Sequence, residues 1–495
     1  MTQSTPVRDY VAVLDIGSNA VRLVVYDGMN RAPVKIHNER NLCSLGRDLG
    51  KTGRLSPEGV EKALQSIGRF AALIAAMKIK KVFAVATAAL RDAADGPDFI
   101  RAVQQHFGLK IRVIDGEEEA RLSAVGVMMN GLGTRGIIGD FGGGSLELIV
   151  VDNNRVKHKH SLPIGSHRLH ATEDRQARID LIDRQLDSVP FLDKYPAADL
   201  YALGGSWRSM GKTHIRMADH PLQVMDQYTI AGAEALKCAS LLSQQSVASL
   251  EKTAGLSKKR VADMGVAALA MERLLLRLKP QRVIFSATGL REGVIYDGLP
   301  VAVQKQDALI ASCRKVALKI SRFDDVKAFK TMSDWMAPLF AGQDAGFFRH
   351  LEAASLLSDT GWFEHEDYQA IHAYDRILLL PFYGVDHTGR AFLALANYVR
   401  YAGEGLENVV RTSRKMLTEE GITLAITAGL AMRVGYLLSG GALSLLKDSF
   451  FDVSAETLTL VLKKRAIGLH ADVITEALQD LAEMMGKKAA VAMQE

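Results

Sequence analysis

The sequence predicts an α/β protein made of two similar halves and closed by a helical module. Three observations lead there. First, VLDIGSNAVRLVVYD (Val13 to Asp27) and IGDFGGGSLELIVVD (Ile138 to Asp152) align without a gap: Asp15 falls on Asp140, Gly17 on Gly142, Leu23 on Leu148, Val25 on Val150 and Asp27 on Asp152. Each copy reads as an apolar strand, an acid, a glycine turn and a second β-rich strand, so each is a hairpin, and a constant offset between two such units marks an internal repeat. Second, short apolar runs alternate with helical patterns around both hairpins, the arrangement of an α/β sheet. Third, from about Val303 the periodicity becomes helical almost throughout.

The elements follow in order. Ser56 to Met77 carries Leu64, Ile67, Phe70, Ala71 and Ile74 at spacings of three and four, an amphipathic helix with Ser56 as N-cap and Pro57 at its first position. KKVFAVATAA reads as a buried strand, Gly96 to Phe107 as a helix, LKIRVID as a strand and Glu117 to Met129 as a helix. After the second hairpin come a helix near Arg178 to Ser188, the strand DLYALGG, helices over Ala233 to Leu242 and Ser257 to Leu278, and the strand RVIFSATG. Glycine punctuation in GLGTRG (Gly131 to Gly136) separates the halves. The expected domains are therefore 1–133, 134–302 and an all-helical 303–495, whose helical patterns include Asp307 to Ser321, Arg349 to Leu357 and Arg390 to Tyr401. Leu424 to Leu446 is long and uncharged enough to be tested as a membrane span. Arg433 at its centre and Ser439, Gly440 and Gly441 near its end make it two buried elements joined by a turn instead.

The 495 residues hold 61 Lys+Arg against 56 Asp+Glu, a net charge of +5, and 48 % are hydrophobic. That supplies a core for each domain and excludes a largely disordered chain. Cys43, Cys238 and Cys313 are far apart with no C-x-x-C pair, which argues against a disulfide framework or a cysteine zinc site. Together with an N-terminus lacking a secretion pattern, this leads us to expect a cytoplasmic protein. The weak net charge and the lack of interleaved aromatic and basic residues count against a nucleic-acid binder.

A strand ending in Asp followed by Gly-Ser-Asn or Gly-Gly-Gly-Ser lets backbone N–H groups approach a phosphate, because glycine has no Cβ to block it. Two such turns face to face would clamp one phosphate, and Gly204-Gly205-Ser206 after DLYALGG is a third loop of the same kind. Asp140 and Glu147 flank the GGGS turn as hard oxygen ligands suited to Mg²⁺. Arg91, just after a strand, offers a planar fork to phosphate. Glu117, Glu118 and Glu119 open a helix, where the dipole favours negative charge and where one glutamate can orient a water. Lys157, Lys159, His160, His167, Arg168, Arg208, Lys212 and the run Lys258 to Arg260 are candidates for a cationic path.

These residues resemble a known family. VLDIGSNAVRLVV, ATAALRDA, VIDGEEEARL, GDFGGGSLEL, LPIGSHRL, ALGGS and SATGLREGVIYD, spread over Val11 to Gly298, look like the motifs of exopolyphosphatases and guanosine pentaphosphate phosphatases. The resemblance implies the duplicated actin-like, ribonuclease-H-like fold. It implies Glu119 as catalytic base, with Glu118 second, and terminal-phosphate contacts at Gly17, Ser18, Asn19, Arg91, Gly142, Gly143, Gly144 and Ser145. It also implies metal-linked acids at Asp140 and Glu147 with Mg²⁺ as cofactor. The expected activity is release of terminal orthophosphate from inorganic polyphosphate, and the runner-up is hydrolysis of guanosine pentaphosphate, for which Trp207 is the one visible purine platform. A sugar kinase lacks support in the Glu119 context, and a non-enzymatic polyphosphate binder is the remaining alternative. Longer members resemble metal-dependent phosphohydrolases in the last third, with a His-Glu or His-Asp pair in a helix. Here Ser358 stands where that histidine would be, so 303–495 is expected to be a degenerate module of that kind, serving the anion path or a homodimer interface.

Overall fold

The computed structural model describes residues 9–253, 256, 258–323, 327–403 and 408–494. It divides into two compact units, Met1–Lys305 and Gln306–Glu495.

The first unit holds two sheets. Strands β1 (Val11–Ile16), β2 (Ala20–Tyr26), β3 (Lys35–Leu42), β4 (Lys81–Ala86) and β5 (Ile111–Val113) lie in the order β3-β2-β1-β4-β5. Strands β6 (Gly136–Phe141), β7 (Leu146–Asp152), β8 (Arg155–Leu162), β9 (Leu200–Leu203), β10 (Tyr228–Ala231) and β11 (Arg282–Phe285) lie in the order β10-β11-β9-β6-β7-β8. Three antiparallel strands followed by parallel ones recur in both: β3-β2-β1 then β4 and β5, β8-β7-β6 then β9 and β11. The second sheet only adds β10 at its edge. The repeated hairpins are thus the matching cores of two matching sheets.

Helix α1 (Pro57–Ala76) starts at Pro57 as its sequence requires and buries Ile67, Phe70 and Ile74 on the first sheet. Two later helices cross between the halves. Helix α2 (Gly116–Met128) buries Ala120, Ala124 and Val127 with Ile138, Ile149, Val151 and Leu203 of the second sheet. Helix α3 (Leu290–Asp297), which follows the second sheet's last strand, puts Val294 and Ile295 among Val11, Val13, Val24 and Tyr26 of the first. The two helices also pack on each other at glycines: a Cβ on Gly126 would stand 2.0 Å from the Gly289 carbonyl oxygen, and one on Gly293 1.9 Å from that of Leu122. The halves share no strand, the first sheet ending at Val113 and the second starting at Gly136, but they exchange helices in their packing.

The second unit is mainly helical, with one departure from the all-helical expectation. β12 (Ser449–Val453), β13 (Thr457–Lys463) and β14 (Lys488–Gln494) form a three-stranded sheet. In β13 the period-two alternation puts Leu458, Leu460 and Leu462 inside, the pattern of a half-buried strand. The apolar stretch tested for a membrane span is one helix, Glu419–Ser439, ending at Gly440 in the left-handed region and followed by a short 3-10 segment, Leu443–Asp448. It is long and apolar enough to cross a bilayer, and 67 % of its most apolar window is buried.

Candidate active site

The two hairpin turns meet. A Cβ on Gly144 would lie 3.2 Å from Ser18 Oγ, and one on Gly143 3.4 Å from Ser18 Cβ. Each turn closes on itself through one amide, Gly17 N–H to the Ala20 carbonyl at 3.0 Å and Gly142 N–H to that of Ser145 at 2.9 Å. The next amides, of Ser18, Asn19, Gly143 and Gly144, donate to no other group among the described residues. Amides left over in a turn form an anion-binding nest. The third loop joins them. Gly204 has φ 90° and a Cβ there would stand 2.2 Å from the Phe141 carbonyl, so only glycine fits; the helix Gly205–Met217 begins at the next residue and adds its N-terminal amides.

Together these loops enclose a cavity of about 190 Å³ lined by Gly17, Ser18, Asn19, Gly142, Gly143, Gly144, Ser145, Gly204, Gly205 and Ser206, with Glu119 and Asp140. The other two predicted residues stand just behind the lining. Glu147 faces Asp140 across the second hairpin and is buried. Arg91 lies with its Nη1 3.6 Å from Glu119 Oε2, and donates to the Ile114 carbonyl and to Asp92.

Helix α2 aims Glu119 inward from its first turn, where Asp115 caps the helix by accepting from the Glu118 amide. Glu119 Oε2 is buried without a hydrogen-bond partner. Burial, reinforced by Glu147 and Asp140, holds the Glu119 carboxyl well above the usual range, and Arg91 opposes this in part. Burial and the neighbouring Asp140 push Glu147 up to about 7, although it accepts the Ser161 hydroxyl at 3.0 Å. Asp140 is also raised by burial, against the pull of Arg208 and the Ser123 hydroxyl at 2.8 Å. Glu118, the second candidate base, faces away: hydrogen bonds from Arg121, and then Arg112, hold it down to about 2. A carboxyl so firmly ionised and paired is a poor proton acceptor.

A buried carboxylate oxygen without a hydrogen bond, beside two further buried acids that Arg91 offsets only in part, fits a divalent cation. Among the described residues no three acidic, histidine or cysteine side chains form a closed cage. One or two protein carboxylates, completed by water and phosphate oxygens, is the way Mg²⁺ is usually held.

Sequence reasoning missed several cleft residues. Asp15, Arg22, Arg40, Thr87, Ser166, Asp263 and Arg291 also line it. The repeat alignment marked Asp15; Arg22 and Arg291 stand inside the quoted motifs without having been given a role, Arg40 stands outside them, and the topology brings all three into the cleft. Of the candidate cationic path, Arg208 and Arg260 reach the cleft. Lys159 is paired with Glu117 and Arg168 with Asp92, Lys157 and Lys212 are exposed, and the side chains of Lys258 and Lys259 lie outside the described residues. Trp207 is no purine platform. It is fully buried, stacked on Phe141 at 5.4 Å, with its Nε1 donating to the Ala267 carbonyl at 2.9 Å. In the second unit Ser358 is buried and shares a hydrogen bond with Tyr436 at 2.7 Å, while Asp359 is held by Arg322 at 3.0 Å and approached by Arg400 at 3.9 Å. Guanidinium groups occupy the carboxylate on which a metal would have to be built.

Comparison with known proteins bears on the family and the fold. A model described as the Ppx/GppA phosphatase family matches residues 24–302, and one described as exopolyphosphatase, C-terminal, matches residues 332–492. Exopolyphosphatase 1 of Mycobacterium leprae is 26 % identical over 300 residues, 58 % of this chain and 88 % of that one. Retrograde regulation protein 2 of Saccharomyces cerevisiae is 22 % identical over 466 residues, covering 83 % of this chain and 75 % of its own. A solved Ppx/GppA family member from Aquifex aeolicus shares 25 % identity at a TM-score of 0.50, covering 58 % of this chain and 96 % of that one. An exopolyphosphatase structure from Cytophaga hutchinsonii shares the fold at 23 % identity and a TM-score of 0.54, with coverages of 59 % and 99 %. The duplicated actin-like α/β fold expected from the sequence is borne out.

Proposed function

Since this chain belongs to the Ppx/GppA phosphatase family, a family of phosphoanhydride hydrolases, we propose that it is an exopolyphosphatase that removes terminal orthophosphate from inorganic polyphosphate. The observation that carries this reading is the convergence of unused backbone amides from two matching turns on one cavity that also receives the Glu119 carboxylate, whose buried Oε2 accepts no hydrogen bond. The C-terminal match to exopolyphosphatases, and the burial of Trp207 that removes the purine platform, favour polyphosphate over guanosine pentaphosphate. Three free, buried cysteines accord with a cytoplasmic protein.

In this reading the terminal phosphoryl group sits on the amides of Ser18, Asn19, Gly143 and Gly144, with Gly142, Ser145 and the Gly204-Gly205-Ser206 loop closing round it. Glu119 accepts a hydrogen bond from a water, orients it in line with the scissile bond and takes its proton as the new P–O bond forms and the bridging P–O bond breaks, the shortened chain leaving with the bridging oxygen. Phosphoryl transfer asks little covalent chemistry of the protein, so positioning and charge stabilisation dominate. Arg91 balances charge at Glu119 and on the phosphoryl oxygens. Asp140 and Glu147 are the residues that would hold Mg²⁺, which when bound supplies Lewis-acid stabilisation of charge on phosphate oxygens.

The test is orthophosphate release from long-chain polyphosphate and from guanosine pentaphosphate, with and without Mg²⁺, for the wild type and Glu119→Gln. Release from polyphosphate that depends on Mg²⁺ and falls by roughly 10²–10⁴ in the variant is expected. Undiminished turnover in Glu119→Gln would remove the base assignment, and release confined to guanosine pentaphosphate would replace the substrate.

A further inference from the structure

The second unit buries an arginine to which its own fold offers no hydrogen-bond acceptor. Arg400 lies near the end of the helix His387–Ala402, its side chain only 8 % exposed. Its guanidinium carbon is 3.8 Å from the ring centre of Tyr401 and 3.7 Å from that of Tyr436. Both rings are pinned: the Tyr436 and Ser358 hydroxyls share a hydrogen bond at 2.7 Å, and the Tyr401 hydroxyl donates to the Ser358 carbonyl at 3.0 Å. Ring faces offset the charge of a guanidinium but accept poorly from its five N–H groups. Asp359 stands 3.9 Å from Arg400 Nη2, beyond hydrogen-bond reach. Its oxygens are taken by Arg322, whose Nε donates to Oδ1 at 3.1 Å and whose amide donates to Oδ2 at 3.3 Å. Arg400 Nε is buried without a partner, and among the described residues Nη1 and Nη2 donate to none either. A third guanidinium, that of Arg433, donates to the Tyr401 carbonyl at 3.0 Å. Three positive charges are thus gathered around one carboxylate, and buried donors in that state call for an acceptor.

Beside the cluster lies a cavity of about 220 Å³, lined by Asp359, by Ser321 and Phe323 on either side of Arg322, and by Gly441. A Cβ at Gly441 would stand 2.9 Å from Arg322 Nη2, so a side chain there would press on the guanidinium. We propose that the second unit carries an oxyanion site of its own, at which Arg400 and Arg322 hold a phosphate group. Guanidinium forks suit carboxylate and phosphate alike. Phosphate is favoured because it carries more than one negative charge at neutral pH and has oxygens for both arginines, which matches the excess of positive charge. Asp359 then serves to fix Arg322, and binding here does not depend on the reaction proposed for the first unit.

Thermal unfolding of the second unit, followed through Trp335 and Trp362 in the full-length chain carrying Trp207→Phe, tests this. Millimolar orthophosphate is compared with acetate and chloride at equal ionic strength, in chelator. The same chain with Arg400→Gln or Arg322→Gln is measured alongside, and circular dichroism verifies that each is folded. Orthophosphate should raise the midpoint by about 3 °C or more over chloride. Acetate should give less than half that shift, and each arginine variant should lose most of it. Arg322, 27 % exposed, supplies the comparison if Arg400→Gln fails to fold. Tripolyphosphate in place of orthophosphate separates the two sources of a phosphate group: a larger shift assigns the site to a chain end, a smaller one to the free ion. No shift above chloride, an equal shift with acetate, or a shift undiminished in the folded variants would overturn the proposal.

Discussion

Glu147 gives a stability prediction whose sign and size follow from its burial. A carboxyl that titrates near 7 in the folded chain and near the ordinary 4.5 in the unfolded one binds its proton roughly three-hundredfold more tightly when folded. At about 1.4 kcal/mol per tenfold, that is about 3 kcal/mol. Between these two pH values the folded state holds more protons than the unfolded state, so unfolding free energy decreases as pH rises. The contribution is complete below pH 4.5 and lost once pH has passed 7. Glu147→Gln keeps the shape and an oxygen for Ser161 to donate to, and removes the ionisation. In chelator, the variant and wild type should therefore be similarly stable near pH 4 and differ by about 3 kcal/mol near pH 8, the variant being the more stable. Asp140, raised by burial, and Glu119, raised by burial and by Glu147, act with the same sign, so relieving them widens the gap. Mg²⁺ should narrow it by stabilising the ionised wild type. Urea unfolding of the first unit can be followed through Trp207, the one tryptophan in Met1–Lys305, in a background where Trp335 and Trp362 are phenylalanine. Parallel pH profiles for the two proteins would refute the reasoning, because they would mean that Glu147 is as well solvated folded as unfolded.

Two further outcomes are expected. Gly165 packs under the second turn, where an added Cβ would stand 2.4 Å from the Gly143 and Gly144 backbone. Gly165→Ala should displace the Gly-Gly-Gly-Ser loop and lower kcat/KM for polyphosphate at least tenfold while leaving the far-ultraviolet circular dichroism unchanged; wild-type kinetics would show that the turn's position is not critical. In the second unit, Asp359→Asn removes the countercharge of buried Arg400 and of partly buried Arg322. It should destabilise Gln306–Glu495 by about 3 kcal/mol, the lower end for breaking a buried pair because Arg322 keeps some solvent. Denaturation followed by Trp335 and Trp362 reads this, and a loss below about 1 kcal/mol would mean that the cluster relaxes to water.

Most of the first unit was legible because its signals are local. Strand, acid and glycine turn recur at one offset, and a strand's face and a turn's backbone geometry are decided within a few residues, so the loops and Asp140 could be named before any packing was known. Glu119 and Glu118 are also local, but choosing between them is not. The helix turns Glu119 towards Glu147 and Asp140, while Arg112 of β5 and Arg121 hold Glu118 outside. The helical reading of the last third missed β12 to β14 because neighbouring strong helical periodicity dominates the region. The alternation of Thr457 to Lys463 was nevertheless present in the sequence. Trp207 illustrates the reverse error. Adjacency to a glycine loop suggested an exposed ring, but its own helix turns the ring under Phe141 and into the core.

What the sequence could not show was the pairing of residues far apart along the chain that sets the charge of the cleft. Arg291 is 276 residues from Asp15, and it reaches that carboxylate because α3 leaves the second sheet and packs on the first. The same crossing requires glycines at 126 and 293, so the helix exchange, the salt bridge to Asp15 and the close contact of α2 with α3 form one structural device. Since α2 also carries Glu119, anything that separates the two helices moves the candidate base and frees Asp15 together. Glu119 and the Asp15–Arg291 pair are thus held in register by a helix contact behind the cleft, without any residue of that contact needing to touch a phosphate.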